Sequence, residues 1–233
     1  MTNRVKSGIP GLDQLIEGGF VEGSCILLAG QTGTGKTIFG CQFLLEGAKS
    51  GERCFYLSLE ESPEDIVNDV KRFTWGNEFQ RFVENKTIQI EFLMPSDIKE
   101  LSSYIKNVVG SGNIRRFVLD NLSVAMMGWS ESSLEIGKIR ADVFNLFKML
   151  KSKKITSLIL VEIPEERTRA VSRFGFEEFI ADSVIILNYL EFGTGTSVRS
   201  LLIRKMRRTK HAVDIFPFQI SDEGIKISYS KPI

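Results

Sequence analysis

A chain of 233 residues, 42 % apolar and 25 % charged, can bury a sizeable core without staples and has room for one large domain or at most two small ones. Its formal net charge of +1 excludes a global field that draws it to nucleic acid or anionic lipid, so any basic site is local. No apolar run approaches the ~20 residues that cross a bilayer, the opening MTNRVKSGIPG lacks the apolar stretch of a signal peptide, and Cys25, Cys41 and Cys54 stand in no metal-ligand spacing, which together point to a cytoplasmic protein with reduced cysteines.

Along the chain, Ser24 to Ala29 reads as a strand, residues 30 to 37 as a loop, and Thr37 to Lys49 as a helix with apolar residues at Ile38, Cys41, Leu44, Leu45 and Ala48. Ser50-Gly51 ends that helix, and Arg53 to Leu59 is the next strand. Ser62 caps a helix that runs to about Phe73, with Pro63 in its first turn and Asp65 at the capping-box position. Lys86 to Phe92 reads as a strand, Asp97 to Val109 as a helix, and Phe117 to Asp120 as the end of a further strand. A long amphipathic helix over Leu134 to Lys151 leads to a strand over Ser157 to Glu162. After Asp182 the helices stop. Ser183 to Leu190, Val198 to Lys205, Ile215 to Ile220 and Ile225 to Tyr229 read as successive strands, with turns at Gly193-Thr194-Gly195 and Asp222-Glu223-Gly224. The fold class is therefore α/β, a mostly parallel sheet flanked by helices with a C-terminal antiparallel extension, in one domain over 1–233.

GQTGTGKT, residues 30 to 37, matches G-x-x-x-x-G-K-[ST] at Gly30, Gly35, Lys36 and Thr37. Its glycines let the main-chain amides of Gln31, Thr32, Gly33, Thr34 and Gly35 turn inward as an anion nest, at the positive end of the following helix. Lys36 is placed to neutralise the β- and γ-phosphates of ATP, and Thr37 to ligate Mg²⁺. Asp120 closes the apolar run FVL at a strand end, where open α/β sheets gather ligands, and is the candidate metal-positioning acid. Glu60 and Glu61 follow the CFYLSL strand. Their mutual repulsion suits a base that activates water; strand alternation sends them to opposite sides, with Glu60 as the base and Glu61 as its support or a second metal-shell group.

In order along the chain, SGIPGLDQLIEGGFVEGSCILLAGQTGTGKT, FYLSLEESPEDI, VLDNLS, RFGFEEFIADSVIIL, KMRRTKH and PFQISDEGI resemble the KaiC-like branch of the RecA-type P-loop ATPases, over nearly all of the chain. The resemblance implies a ring-shaped homo-hexamer with ATP between neighbouring subunits. It implies that Lys205 and Arg207 reach the next subunit's γ-phosphate, that His211 lies near the same nucleotide, and that Arg72, Ser221 and Asp222 meet its base or ribose. Arg72 departs from the small residue of that place. The residues of KMRRTKH by themselves suit a solvated basic strand end or a DNA-contacting patch equally well. The family's clock protein carries two tandem ATPase domains and a phosphorylated Ser/Thr pair in the second. This chain has length for one and no counterpart of the pair, so timing and autokinase activity are not carried over.

Three functions follow from these residues: an ATPase hydrolysing ATP at subunit interfaces and driving a change in a partner, a DNA-associated RecA- or RadA-like motor, and a nucleotide-gated assembly module. The second needs basic pore loops, for which Arg167, Arg169 and Arg173 are the candidates; no helix-hairpin-helix or zinc module is present in the sequence.

Overall fold

A continuous apolar run becomes a strand buried on both faces, and the sheet is organised around one. The computed structural model describes residues 2–95, 97–126, 133–163, 172, 175–192 and 196–228. A short ribbon of β1 (Arg4–Val5) and β2 (Phe20–Val21) encloses α1 (Leu12–Leu15). The alternating core follows: β3 (Cys25–Gly30), α2 (Lys36–Lys49), β4 (Arg53–Ser58), α3 (Pro63–Val70), α4 (Gly76–Glu84), β5 (Ile88–Phe92), α5 (Ile98–Ser111), β6 (Ile114–Asp120), α6 (Leu122–Ala125), α7 (Ser133–Ser152) and β7 (Thr156–Glu162). After α8 (Glu177–Ile180) come β8 (Ser183–Phe192), β9 (Thr196–Met206), β10 (Ile215–Ser221) and β11 (Gly224–Ile227).

The strands form a nine-stranded sheet in the order β11-β10-β9-β8-β3-β7-β6-β4-β5. From β8 to β5 the pairing is parallel; β9, β10 and β11 add antiparallel strands at one edge. Every residue of β3 is buried. Its alternate side chains enter two different cores: Ile26 and Leu28 pack with Phe39, Phe43 and Phe79 from α2 and α4, while Leu27 and Ala29 pack with Ile105, Ile139 and Val143 from α5 and α7. This is a parallel sheet sandwiched between helical layers.

Most expected elements are present with ends displaced by one or two residues. The helix expected to reach Phe73 stops at Val70, and α4 was not expected. The break has a packing cause. Phe73 stacks on Trp75 at 4.9 Å, Thr74 N donates to Asp222 O at 2.8 Å, and Trp75 Nε1 donates to Glu223 O at 3.1 Å, so this stretch serves the distant β10–β11 turn. β5 starts at Ile88, because Lys86 has a left-handed φ of 62° that closes α4. Ser62 and Asp97 cap α3 and α5 as N-terminal side-chain acceptors. The expected turn at Gly193-Thr194-Gly195 and Tyr229 at the end of the last strand lie outside the described residues. Cys25, Cys41 and Cys54 are free and buried, and among the described residues no helix is long and apolar enough to cross a membrane.

Two buried polar side chains hold distant segments together. Gln42 on α2 accepts from Ile225 N at 2.7 Å through Oε1, and donates through Nε2 to Ile225 O at 3.2 Å and Gly8 O at 3.4 Å. Arg116 on β6 lies 4.7 Å over the Phe43 ring, donates to Lys6 O and Phe43 O, and pairs with Glu52. Gly47 leaves room for this guanidinium: a Cβ there sits 2.5 Å from Arg116 Cδ and Nε. With Arg116 pinned on every side, Gly47→Ala is expected to cost about 1–3 kcal/mol as overpacking. A lower urea midpoint at unchanged slope checks this; an unchanged midpoint counts against it.

Candidate active site

β3 ends at Gly30, which registers with Leu187 of β8 on one side and Glu162 of β7 on the other. The chain then turns tightly. A Cβ on Gly30 meets Thr34 Oγ1 at 2.7 Å and Leu187 O at 3.0 Å, and Gly35 takes a left-handed φ of 100° immediately before α2. Thr34 Oγ1 donates to Gln31 O at 2.7 Å, bracing the loop from inside. Lys36 folds back along it, its Nζ donating to Gly30 O at 3.0 Å and Gln31 O at 3.1 Å. Burial lowers the Lys36 pKa, opposed by the charges of Glu162, Asp120 and Glu60.

At the foot of the loop, Thr37 Oγ1 donates to Asp120 Oδ2 at 2.8 Å, and the buried Tyr56 hydroxyl donates to the same oxygen. The parallel register Ser58↔Asp120 brings the end of β6 beside the end of β4. Burial raises the Asp120 pKa, while the hydrogen bonds from Tyr56 and Thr37 and the Lys36 charge oppose the rise. Burial of Tyr56, followed by the Asp120 charge, lifts its phenol well above the usual value.

Glu60 and Glu61 line the same cavity, which corrects the expectation that alternation sends them to opposite sides. β4 stops at Ser58, so strand alternation no longer applies, and both glutamate amides turn toward Ser58 Oγ, at 3.3 and 2.9 Å. Desolvation raises the Glu60 pKa first, then the charges of Asp120 and Glu162; a 2.7 Å hydrogen bond from Asn121 Nδ2 to Glu60 Oε2 pulls the other way. The Glu61 pKa is raised by desolvation and then by Asp120, Asp69 and Asp65.

The cavity encloses about 540 Å³. Thr32, Gly33, Gly35, Lys36 and Thr37 of the loop line it, together with Arg72, Ser221 and Asp222. Tyr56, Asn121, Glu162, Tyr189 and Arg199 also stand at the site and were not singled out from the sequence. Asp120 is followed by an asparagine that caps α6 and holds Glu60, a signal the pair DN carried. The other four come from strands, and only register places them beside the loop.

Lys205, Arg207 and His211 do not join this cavity within one chain. β9 runs antiparallel to β8 and ends with Met206 opposite Ser183, at the margin of the sheet away from the phosphate loop. Lys205 Nζ donates to Glu178 O at 2.9 Å, Phe179 O at 3.3 Å and Ala181 O at 2.6 Å, and its pKa is lowered by burial and by neighbouring Arg207. Arg207 Nη2 donates to Phe179 O at 3.3 Å, and Nη1 lies 3.8 Å from Asp182. His211 Nδ1 lies 2.9 Å from Ala212 O. Arg167, Arg169 and Arg173 lie outside the described residues.

A family model described as "ATPase: KaiC" matches residues 5–231. The chain is 34 % identical to a UPF0273 protein of Methanopyrus kandleri, over 98 % of this chain and 93 % of that one. It is 32 % identical to the circadian clock protein KaiC3 of Synechocystis over 96 % of its own length, but covers 45 % of that protein. The solved structure of a KaiC-like protein from Pyrococcus horikoshii superimposes with a TM-score of 0.85 at 37 % identity, covering 98 % of this chain and all of the other. The fold is thus RecA-like, with its antiparallel hairpin at the C-terminal edge. A phosphate loop seated against a strand-end aspartate is what nucleotide binding requires, and with these likenesses the chain belongs to the KaiC family of nucleotide-binding ATPases.

Proposed function

We propose that the chain is one ATPase domain that hydrolyses ATP with Mg²⁺ at the interfaces of a homo-hexameric ring in the cytoplasm, using turnover to change the state of a protein partner. The observation that supports this best is the 2.8 Å pairing of Thr37 with Asp120 at the foot of the phosphate loop, with Glu60 in the same cavity. Two hard oxygen donors beside a phosphate nest fit Mg²⁺, which is held by few protein ligands together with phosphate and water. When bound, the ion neutralises charge on the phosphate oxygens.

The amides of residues 31–35 cradle the polyphosphate, and Lys36 leaves its loop carbonyls to neutralise it. Glu60, oriented by Asn121, accepts the proton of the attacking water, with Glu61 beside it. Arg72, Ser221 and Asp222 receive the base and ribose. Lys205, Arg207 and His211 stand too far from their own chain's loop to serve it, which suits delivery to a neighbour's nucleotide in a head-to-tail ring.

The test is particle size with and without MgATP, read beside phosphate release from the same sample. The expected result is a hexamer-sized particle in nucleotide and phosphate release that depends on Mg²⁺. A monomer under all conditions with full turnover would remove the interface from the mechanism.

A further inference from the structure

Large apolar side chains left in water are ordinary one at a time; gathered at a groove with a polar border they mark a contact surface. Among the described residues, Phe92, Met94, Phe144, Phe179 and Val213 are the exposed ones. Four of them fall into two pairs. Phe144 and Phe179, 52 % and 66 % exposed, flank a groove between α7 and α8. Phe92 and Met94, 42 % and 77 % exposed, stand at the end of β5.

The groove encloses about 430 Å³. Ala141 and Phe144 of α7 form one wall and Phe179 and Ile180 of α8 the other, and its charged lining residues, Arg140 and Arg207, are both cations. The second pair has the opposite setting. Phe92 registers with Ser58, two residues before Glu60, and Leu93 N donates to Ser58 O at 3.0 Å. This apolar tip therefore adjoins the wall of the nucleotide cavity. Glu60, Glu61, Asp69, Asp120, Glu162 and Asp222 line that cavity, against Lys36, Arg72 and Arg199. A basic apolar groove and an apolar tip beside an acidic cavity are complementary in both character and sign.

One chain cannot join the two. β9, whose end carries the chain to Arg207, is separated from β5 in the sheet by β8, β3, β7, β6 and β4. A head-to-tail ring needs two different patches on every copy, one to offer and one to receive. Arg207 lines the groove and is the residue assigned to the next copy's nucleotide, so the surface that Arg207 reaches is the surface the groove faces.

We propose that the α7–α8 groove seats Phe92 and Met94 of a second copy of this chain, as the apolar anchor of the contact that brings Arg207 to that copy's nucleotide. It rests on the reading of Arg207 as a residue delivered between copies. Aromatic and methionine side chains are enriched in protein interfaces, and a few anchors seated in pockets carry most of the binding energy. Here the phenylalanines and the methionine supply the anchor, and the arginines facing the acidic cavity set the register. Val213 closely follows His211, which the same reading gives to this contact.

Cross-linking of full-length copies in MgATP tests this. Cys25, Cys41 and Cys54 are buried, so an introduced surface cysteine is the thiol that a short bismaleimide reaches. Met94→Cys copies mixed with Phe144→Cys copies are expected to give a cross-linked dimer, and neither variant alone is expected to. A chain carrying both substitutions is expected to give a ladder. Phe179→Ser and Met94→Lys, the latter setting a cation against Arg140 and Arg207, are each expected to raise the concentration at which the MgATP particle forms by ~10-fold or more. All these positions are exposed, so folding is expected to be unchanged by circular dichroism, as is MgATP binding by the separate chain. Met94→Cys copies that cross-link to one another overturn the proposal. So does a Phe144→Cys thiol that stays fully reactive inside the assembled particle, which would leave the groove open for a different protein. If the wild type assembles and Phe179→Ser and Met94→Lys assemble at the same concentration, the groove is not the seat, and the ring itself stands. A wild type that never assembles in MgATP overturns the underlying reading as well.

Discussion

Glu60→Gln is expected to bind MgATP with wild-type affinity and to turn it over ~10²- to 10⁴-fold more slowly, the usual contribution of a positioned general base. Glutamine keeps the shape and the acceptor oxygen that takes the Asn121 amide, so the cavity wall is preserved while the proton acceptor is lost. The pH dependence gives the assignment a second signature. Desolvation and the charges of Asp120 and Glu162 raise the Glu60 carboxyl above its ordinary value of 4.5. A base must be deprotonated to act, so wild-type turnover should fall as pH drops through that raised value, and the variant should lose this acid limb. Stability moves the opposite way. Because its folded pKa is raised, Glu60 contributes stability that is complete below the ordinary carboxylate range and is lost as pH rises through the folded value. At neutral pH the charged carboxylate is a burden, so the nucleotide-free variant should melt slightly higher than wild type, a trade of stability for function. Full turnover in Glu60→Gln together with slow turnover in Glu61→Gln would move the role one residue along.

Arg207→Ala is expected to lower turnover by ~10³-fold or more, the scale of an arginine delivered to the transferred phosphoryl group. Binding of MgATP by the separate chain should change little, since Arg207 sits at the far margin of the sheet, half-exposed and held by one long bond to Phe179 O and a 3.8 Å approach to Asp182. Mixing supplies the decisive measurement. Lys36→Ala copies have a crippled loop and an intact Arg207; Arg207→Ala copies have the reverse. In a head-to-tail ring the mixture regains turnover wherever the loop of an Arg207→Ala copy faces the arginine of a Lys36→Ala copy. Mixed particles that stay as inactive as either parent, or an Arg207→Ala variant with normal turnover, would confine catalysis to the single chain.

The sequence was most legible where local chemistry and chain order coincide. GQTGTGKT after an apolar run and before a helical pattern located the loop, and FVLD located the strand-end acid that Thr37 meets. The loss of helices after Asp182 announced the antiparallel edge. What stayed hidden depends on pairing between distant residues. Glu162 ends an ordinary buried strand and enters the site only because it registers with Gly30. Tyr189 and Arg199 are unremarked members of a hairpin until the overhang of β8 sets them over Gly33. The helix α4 was not expected, and the turn before it is shaped by a bond from Thr74 to Asp222, far along the chain.

The Gln42 side chain spans a joint that chain order keeps apart. Its amide grips strand β11, on the same helix whose first turn carries Lys36 and Thr37. Thr74 and Trp75 fasten the neighbouring turn from the opposite flank. The helix that starts at the phosphate loop and the turn that carries Ser221 and Asp222 are thereby tied to one another. On the proposed reading, in which that turn meets the sugar or base, grip on the triphosphate and grip on the nucleoside are expected to tighten and slacken together.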